Sequence, residues 1–155
     1  MKFDIIRKSA HLGFLNRSGI CGMNSARFVR MTMKKRILIL DDEPSTRLLL
    51  RHFFSKGYEL SIHENGLKGL DWLEKGNNPD LIITDLEMPE MDGFEFINRI
   101  CSDDRFRGIQ ILVTSGLEEI EARKRIKYNC SYLQKSDQLV SLKNQVSKML
   151  NEAEA

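Results

Sequence analysis

Short apolar runs alternate with segments of helical periodicity over most of this chain, from Arg36 onward. Five of the runs have the length and residue types of β-strands. They cover residues 37–40, 58–63, 81–84, 109–114 and 131–134. The first, third and fourth are apolar on both faces, as strands are in a parallel sheet that helices cover on both sides. The sequence therefore predicts an α/β fold: a doubly wound, five-stranded parallel sheet with helices on both faces.

Five helical segments lie between and after the strands, and each carries an apolar stripe. The first begins near Pro44, a residue type favoured in a first helical turn. Its stripe comprises Leu49, Leu50, Phe53 and Phe54. Asn129 is predicted to end the fourth helix in a left-handed conformation. The last helix has the clearest stripe, over residues 139–150.

The length of the chain, 155 residues, suits one domain. Residues 1–33 carry six basic residues and one acidic residue, whereas the rest is slightly acidic. This distribution argues against direct nucleic-acid binding by the folded part. We expect residues 1–33 to be a basic extension that is disordered, a transit peptide, or a misassigned start that precedes Met31 or Met33. Residues 34–152 are expected to form the domain.

The three cysteines are odd in number and widely spaced, without CxxC pairing. We expect reduced thiols, with no disulfide and no zinc site. No apolar stretch is long enough for a membrane-spanning helix, and the N-terminus lacks the apolar core of a secretory signal. These features predict a cytoplasmic protein with no membrane partner.

Polar side chains follow the apolar runs where each strand ends. They are Asp41 and Asp42, Asp85, Thr114 and Ser115, and Lys135. Ligands of open parallel sheets bind at the carboxyl ends of the strands, so these groups should converge there. Three clustered carboxylates repel one another unless a cation lies among them, and hard oxygen ligands suit Mg²⁺. The Asp85 carboxylate could then attack a phosphoryl donor while the hydroxyl and the ammonium hold its other oxygens.

The motifs and their order resemble the receiver domain of bacterial two-component response regulators, a flavodoxin-like fold. The resemblance covers residues 35–150. Its four motifs are residues 41–44 (DDEP), 85–93 (DLEMPEMDG), 113–115 (VTS) and 132–135 (YLQK).

This resemblance implies a role for each matching residue. Asp85 would be the phospho-acceptor, and Asp42 would bind Mg²⁺ directly while Asp41 assists through water. The backbone carbonyl of Glu87 would be a further metal ligand.

Three more residues match the switch of that family. Thr114 would supply the switch hydroxyl, Lys135 would contact the phosphoryl group, and Tyr132 would be the aromatic residue that changes rotamer. Glu87 and Gly116 occupy positions that tune the lifetime of the phosphorylated form in related domains.

Two departures from the family pattern concern the loops near this site. Ser136 follows Lys135 where proline with a cis bond is usual, so we expect a trans bond there. Ser136 or Asp137 is expected to cap the last helix. The segment from Thr114 to Tyr132 is also about one residue shorter than usual.

The resemblance implies a single-domain response regulator that takes a phosphoryl group from a sensor histidine kinase or a histidine phosphotransfer protein. Such a domain catalyses only its own phosphorylation and dephosphorylation and signals to a downstream protein or through a homodimer. About twenty residues follow Lys135, so we expect no output domain. Two alternatives remain open: a phosphate-independent interaction scaffold, and an aspartate-nucleophile Mg²⁺ phosphatase. The phosphatase would need a different spacing of its aspartates on the first strand.

Overall fold

The computed structural model describes residues 34–137 and 139–152. The expectations for residues 1–33 therefore lie outside the described residues. Strands and helices alternate as the sequence predicts, with one added turn of 3-10 helix at Asp104–Phe106. The elements are β1 (Arg36–Leu40), α1 (Pro44–Phe54), β2 (Glu59–His63), α2 (Gly66–Glu74), β3 (Leu81–Thr84), α3 (Gly93–Cys101), β4 (Gln110–Ser115), α4 (Glu119–Arg125), β5 (Ser131–Gln134) and α5 (Leu139–Glu152).

The five strands form one sheet in the order β2-β1-β3-β4-β5, and every neighbouring pair is parallel. The last residues of β1 and β3 lie side by side, because Leu40 pairs with Thr84. All five strands thus end at the same edge of the sheet, where the chain continues into loops. The predicted fold class is confirmed.

Helices cover both faces of the sheet, since side chains of a strand alternate between faces. Leu38 and Leu40 of β1 point into a core formed with α2, α3 and α4. Ile37 and Ile39 point into a second core, which contains Leu50 of α1 and much of α5. The apolar stripe predicted for α5 is buried there, with Leu142, Val146, Met149 and Leu150 all less than a tenth exposed.

The stripe predicted for α1 is only half buried. Leu50 and Phe54 are in the core, whereas Leu49 and Phe53 are each 42% exposed. Two residues four positions apart lie on one face of a helix, and their immediate predecessors lie to the side of it. The helix therefore contacts the sheet over a narrower face than its sequence suggests.

The predicted left-handed cap at Asn129 is wrong. The fourth helix ends at Arg125, and Ile126 has an extended backbone with φ −83° and ψ 117°. Ile126 is buried, whereas Ile120 on the same helix is 75% exposed. Among the described non-glycine residues, only Glu90 has a positive φ. The extended backbone at Ile126 therefore ends the helix before Asn129 is reached.

The loop after β5 differs from the family pattern in the expected way. The described residues contain no cis peptide bond, so Lys135 and Ser136 are joined by a trans bond. The amide of Asp137 donates to the carbonyl oxygen of Gln134 at 2.9 Å, which closes a turn. The fifth helix begins at Leu139, and its cap position, residue 138, lies outside the described residues. In the part of the chain that is described, no helix is long and apolar enough to cross a bilayer.

Candidate functional site

The first acidic pair lies in the turn between β1 and α1. Asp41 is 1% exposed, whereas Asp42 is exposed. The amide of Asp41 donates to the carbonyl oxygen of His63 at 3.2 Å, which extends the pairing of β1 with β2. One carboxylate oxygen of Asp41, Oδ1, accepts the amide of Glu43 at 2.9 Å. This bond fixes the Asp41 side chain at the start of the turn.

Asp85 follows β3 and is 4% exposed. Its amide donates to the carbonyl oxygen of Leu40 at 2.9 Å, so its backbone continues the pairing of β3 with β1. Its Oδ1 accepts the amides of Leu86 at 2.6 Å and Glu87 at 3.3 Å. These main-chain donors fix the direction of one oxygen of the carboxylate.

Glycine at position 93 lets the next helix approach Asp85. A Cβ at this position would lie 2.0 Å from the carbonyl oxygen of Asp85 and 2.8 Å from the Cα of Leu86. The amide of Gly93 donates to the carbonyl oxygen of Leu86 at 3.0 Å. The α3 N-terminus thus packs directly against the backbone of the acidic site.

The three aspartates meet at the sheet edge, as the sequence predicts. One carboxylate oxygen from each of Asp41, Asp42 and Asp85 can be chosen so that all three lie within 4.8 Å of one another. This closeness follows from the pairing of β1 with β3, which places the two strand ends side by side. Three hard oxygen donors at such separations match the ligand preference of Mg²⁺.

Lys135 joins the two buried carboxylates. Its Nζ lies 2.5 Å from Oδ2 of Asp85 and 3.0 Å from Oδ2 of Asp41. The amide of Lys135 donates to the carbonyl oxygen of Ser115 at 2.8 Å, which brings its side chain to the edge. Burial alone would lower the pKa of Lys135, but its contacts with Asp85 and Asp41 outweigh burial and raise that pKa. The ammonium form is therefore stabilised.

Asp41 is the least satisfied group of the site. Burial raises its pKa, and the neighbouring Lys135 offsets this only in part. The contact of Lys135 with Oδ2 of Asp41 is an ion pair whose direction does not fit a hydrogen bond, and Oδ2 has no hydrogen-bond donor. The Lys135 ammonium compensates part of the charge on this buried oxygen, but no donor satisfies its lone pairs, so the oxygen can still bind a metal ion. The residues present therefore fit a divalent metal.

Thr114 and Tyr132 lie beside this cluster on β4 and β5. Thr114, the residue before the last of β4, is 8% exposed, and no hydrogen bond joins its side chain to Asp85. The hydroxyl of Tyr132 donates to the carbonyl oxygen of Leu117 at 2.6 Å. Burial raises the pKa of Tyr132, and the Ser115 hydroxyl opposes this. Both residues lie on the strands predicted for them.

Glu87 and Gly116 flank the cluster from two loops. Glu87 is exposed and lines an open groove together with Asp42. Gly116 is exposed, and a Cβ there would meet nothing within 4 Å. Both positions are therefore open to solvent.

The sequence does not single out Arg47, and it predicts no contact for Ser115, the last residue of the 113–115 motif. Arg47 in α1 donates from one nitrogen to the carbonyl oxygens of both Asp41 and Asp42, each at 2.7 Å. Ser115 is fully buried, and its hydroxyl accepts the amide of Leu117 at 3.3 Å. Sequence periodicity does not reveal contacts of this kind, because they depend on the path of the loops.

Comparisons with known proteins identify the family of this domain. The sequence model of the response regulator receiver domain matches residues 37–146. Sporulation initiation phosphotransferase F of Bacillus subtilis is 36% identical over 96 residues, which cover 61% of this chain and 77% of that protein. Sensor histidine kinase TmoS of Ectopseudomonas mendocina is 33% identical over 91 residues, which cover 59% of this chain and 9% of the kinase.

A solved structure shows the same fold. The signal receiver domain of a signal transduction histidine kinase from Syntrophus aciditrophicus superposes with a TM-score of 0.69 at 27% identity. The superposition covers 76% of this chain and 91% of that one. Fold, acidic site and comparisons together define a domain of two-component signalling. The chain belongs to the family of response regulator receiver domains.

Proposed function

We propose that this domain accepts a phosphoryl group on Asp85 in a reaction that depends on Mg²⁺. The observation that carries the proposal is the placement of a buried, main-chain-oriented Asp85 between Lys135 and two further carboxylates. Phosphoryl transfer needs chiefly positioning and charge, and this site supplies both.

The reaction we propose is a direct transfer from a phosphohistidine. An oxygen of the Asp85 carboxylate attacks the phosphorus, so that an O–P bond forms while the N–P bond breaks. The imidazole nitrogen keeps the electron pair of the broken bond. Lys135, which now contacts Oδ2 of Asp85, can move its ammonium to a phosphoryl oxygen as charge develops there.

The carboxylates of Asp42 and Asp85, with Asp41 assisting through water, would hold Mg²⁺, and the carbonyl oxygen of Glu87 would complete the protein ligands. The ion would neutralise the charge that a phosphoryl group brings to three carboxylates. Thr114 would donate its hydroxyl to the phosphoryl group. Tyr132 would change its position with the β4–α4 turn, to which its hydroxyl now bonds.

We infer that the donor is a sensor histidine kinase or a histidine phosphotransfer protein. Sporulation initiation phosphotransferase F supports this partner class by its name and its similarity. We propose that residues 34–152 act as a single receiver domain in the cytoplasm, signalling through a changed surface to a downstream protein or through a homodimer. The chain would catalyse only its own phosphorylation and dephosphorylation.

The test is the intact mass of the full chain after incubation with acetyl phosphate, with MgCl₂ or with EDTA. We expect a gain of one phosphoryl group with MgCl₂ that is absent with EDTA and absent in Asp85→Asn. Asp71→Asn is the matched control, because Asp71 is exposed on α2 and its carboxylate pairs with Lys75 at the C-cap of the same helix. No gain in a folded chain that still binds Mg²⁺ would favour the phosphate-independent scaffold. Continued hydrolysis of added phosphate esters would favour the phosphatase.

A further inference from the structure

Arg47 contacts the acidic turn from its main-chain side. It lies in the first turn of α1 and is half-buried. Its Nη1 donates to the carbonyl oxygens of Asp41 and Asp42, each at 2.7 Å. Both hydrogen bonds are charge-assisted, which makes them stronger than bonds between neutral groups. One nitrogen thus joins the two peptide groups that carry the first acidic pair.

The rest of the turn is held less completely. The amide of Asp41 bonds to His63, and the amide of Glu43 bonds to the Asp41 carboxylate. The side chain of Asp42 is exposed, so packing does not fix its direction. Its position depends on the orientation of its own peptide group, which the bond to Arg47 sets.

We propose that Arg47 is a positioning residue for the cation site. The carbonyl oxygens of Asp41 and Asp42 converge on Arg47, while their carboxylates gather with that of Asp85. By holding the carbonyl oxygens, Arg47 keeps both carboxylates turned toward Asp85. The inference rests on the proposed function, because it concerns the Mg²⁺ on which that function depends.

The direction in which Mg²⁺ affinity changes when Arg47 is replaced distinguishes a positioning role from a purely electrostatic one. A guanidinium close to a cation site repels the cation, so its removal should tighten Mg²⁺ binding if charge alone matters. Its removal should weaken binding if it orients the carboxylates. Arg51 lies one turn further along α1 and is exposed. Arg51→Met therefore removes the same charge from the same helix without disturbing the turn.

A conservative substitution adds a second criterion. Because a single nitrogen of Arg47 makes both bonds, the ammonium group of a lysine has enough donors to replace it. Arg47→Lys should therefore recover much of the Mg²⁺ affinity that Arg47→Met loses. A role limited to the packing of the long side chain would give no such recovery.

The experiment measures the Mg²⁺ dissociation constant of the full chain by calorimetric titration with MgCl₂. We expect Arg47→Met to weaken binding by about 10- to 100-fold, the range found when groups that orient metal ligands are removed. Arg47→Lys should stay within about 3-fold of the wild type, and Arg51→Met should bind equally well or more tightly. With saturating MgCl₂, the control Arg51→Met should acquire a phosphoryl group from acetyl phosphate as fast as the wild type.

Urea unfolding without Mg²⁺ shows whether each variant is folded, and Arg47→Gln replaces the methionine variant if that one is too unstable to titrate. Arg47→Met binding Mg²⁺ as tightly as Arg51→Met would overturn the inference alone. A wild type that binds no Mg²⁺ would overturn it together with the metal-dependent part of the proposed function. The two failures are therefore distinguishable.

Discussion

The ammonium nitrogen of Lys135 lies 2.5 Å from Oδ2 of Asp85, although 50 positions of sequence separate the two residues. The same nitrogen lies 3.0 Å from Oδ2 of Asp41. One ammonium group therefore compensates two carboxylates that are almost entirely buried. Burial of charge is tolerated only with such partners, so this contact connects the stability of the fold with the chemistry of the site.

Lys135→Met should destabilise the metal-free protein, because it leaves Asp41 and Asp85 without their shared cation. Loss of one partner from a buried pair costs about 3–5 kcal/mol. The Lys135 side chain is 32% exposed, so we expect about 1–3 kcal/mol from urea unfolding at pH 7. Lys75→Met, which breaks an exposed pair with Asp71, should change the free energy of unfolding by less than about 0.5 kcal/mol. Equal losses in the two variants would contradict a special role for Lys135.

Asp41→Asn should stabilise the metal-free protein at pH 7. Burial raises the pKa of Asp41, so the folded state holds this proton more tightly than the unfolded state does. The free energy of unfolding therefore falls as pH rises from the ordinary aspartate range through the raised pKa, and the charged form is destabilising above it. The variant should show a higher urea midpoint at pH 7 and a flatter dependence on pH.

Mg²⁺ supplies a second measurement for the same variant. A ligand that binds only the folded state raises its stability, so MgCl₂ should raise the urea midpoint of the wild type. MgCl₂ should raise the urea midpoint of Asp41→Asn by a smaller amount. A variant that is less stable than the wild type at pH 7 would mean that the ion pair with Lys135 outweighs the cost of burial.

Gly93→Ala should be strongly destabilising, because the added Cβ would lie 2.0 Å from the carbonyl oxygen of Asp85. The backbone of the site must then move, and overpacking of this kind costs about 1–3 kcal/mol or more. Gly57→Ala is the control, since its Cβ would meet nothing within 4 Å. Urea unfolding should show a change of less than about 0.5 kcal/mol for the control. Similar midpoints for both variants would show that α3 does not pack against Asp85 this closely.

Tyr132→Phe should remove the hydrogen bond to the carbonyl oxygen of Leu117 and little else. We expect a loss of about 1 kcal/mol in the free energy of unfolding, the usual worth of such a bond. Tyr128→Phe is matched in chemistry, because its hydroxyl contacts the exposed Ser102 at 3.0 Å. Tyr128→Phe should lower the free energy of unfolding by less than about 0.5 kcal/mol. A larger decrease in Tyr128→Phe than in Tyr132→Phe would contradict the structure.

The strands and the acidic cluster could be predicted from sequence because they depend on local patterns and one general rule. Runs such as 81–84 have strand composition, and parallel strands end at one edge. Because Asp41, Asp85 and Lys135 follow strand ends, their side chains are expected to lie close together. The sequence pattern identifies the strand ends, and the parallel pairing of the strands places these residues next to one another.

Other features depended on tertiary packing that a periodic pattern does not contain. Leu49 and Phe53 have the spacing of core residues but lie beside the contact face of α1. Asn129 has the chemistry of a helix cap, yet the backbone is already extended at Ile126, so the helix ends earlier. Arg47 is one of several basic residues in its region, and only the path of the turn aims it at two carbonyl oxygens.

We propose that Asp85 is the residue that carries the phosphoryl group. After incubation with acetyl phosphate and MgCl₂, treatment with borohydride would reduce an acyl phosphate to the alcohol, and peptide mass spectrometry would locate the reduced residue. We expect homoserine at position 85 and at no other aspartate. Reduction at Asp41 or Asp42 instead, or phosphorylation that persists in Asp85→Asn, would contradict it.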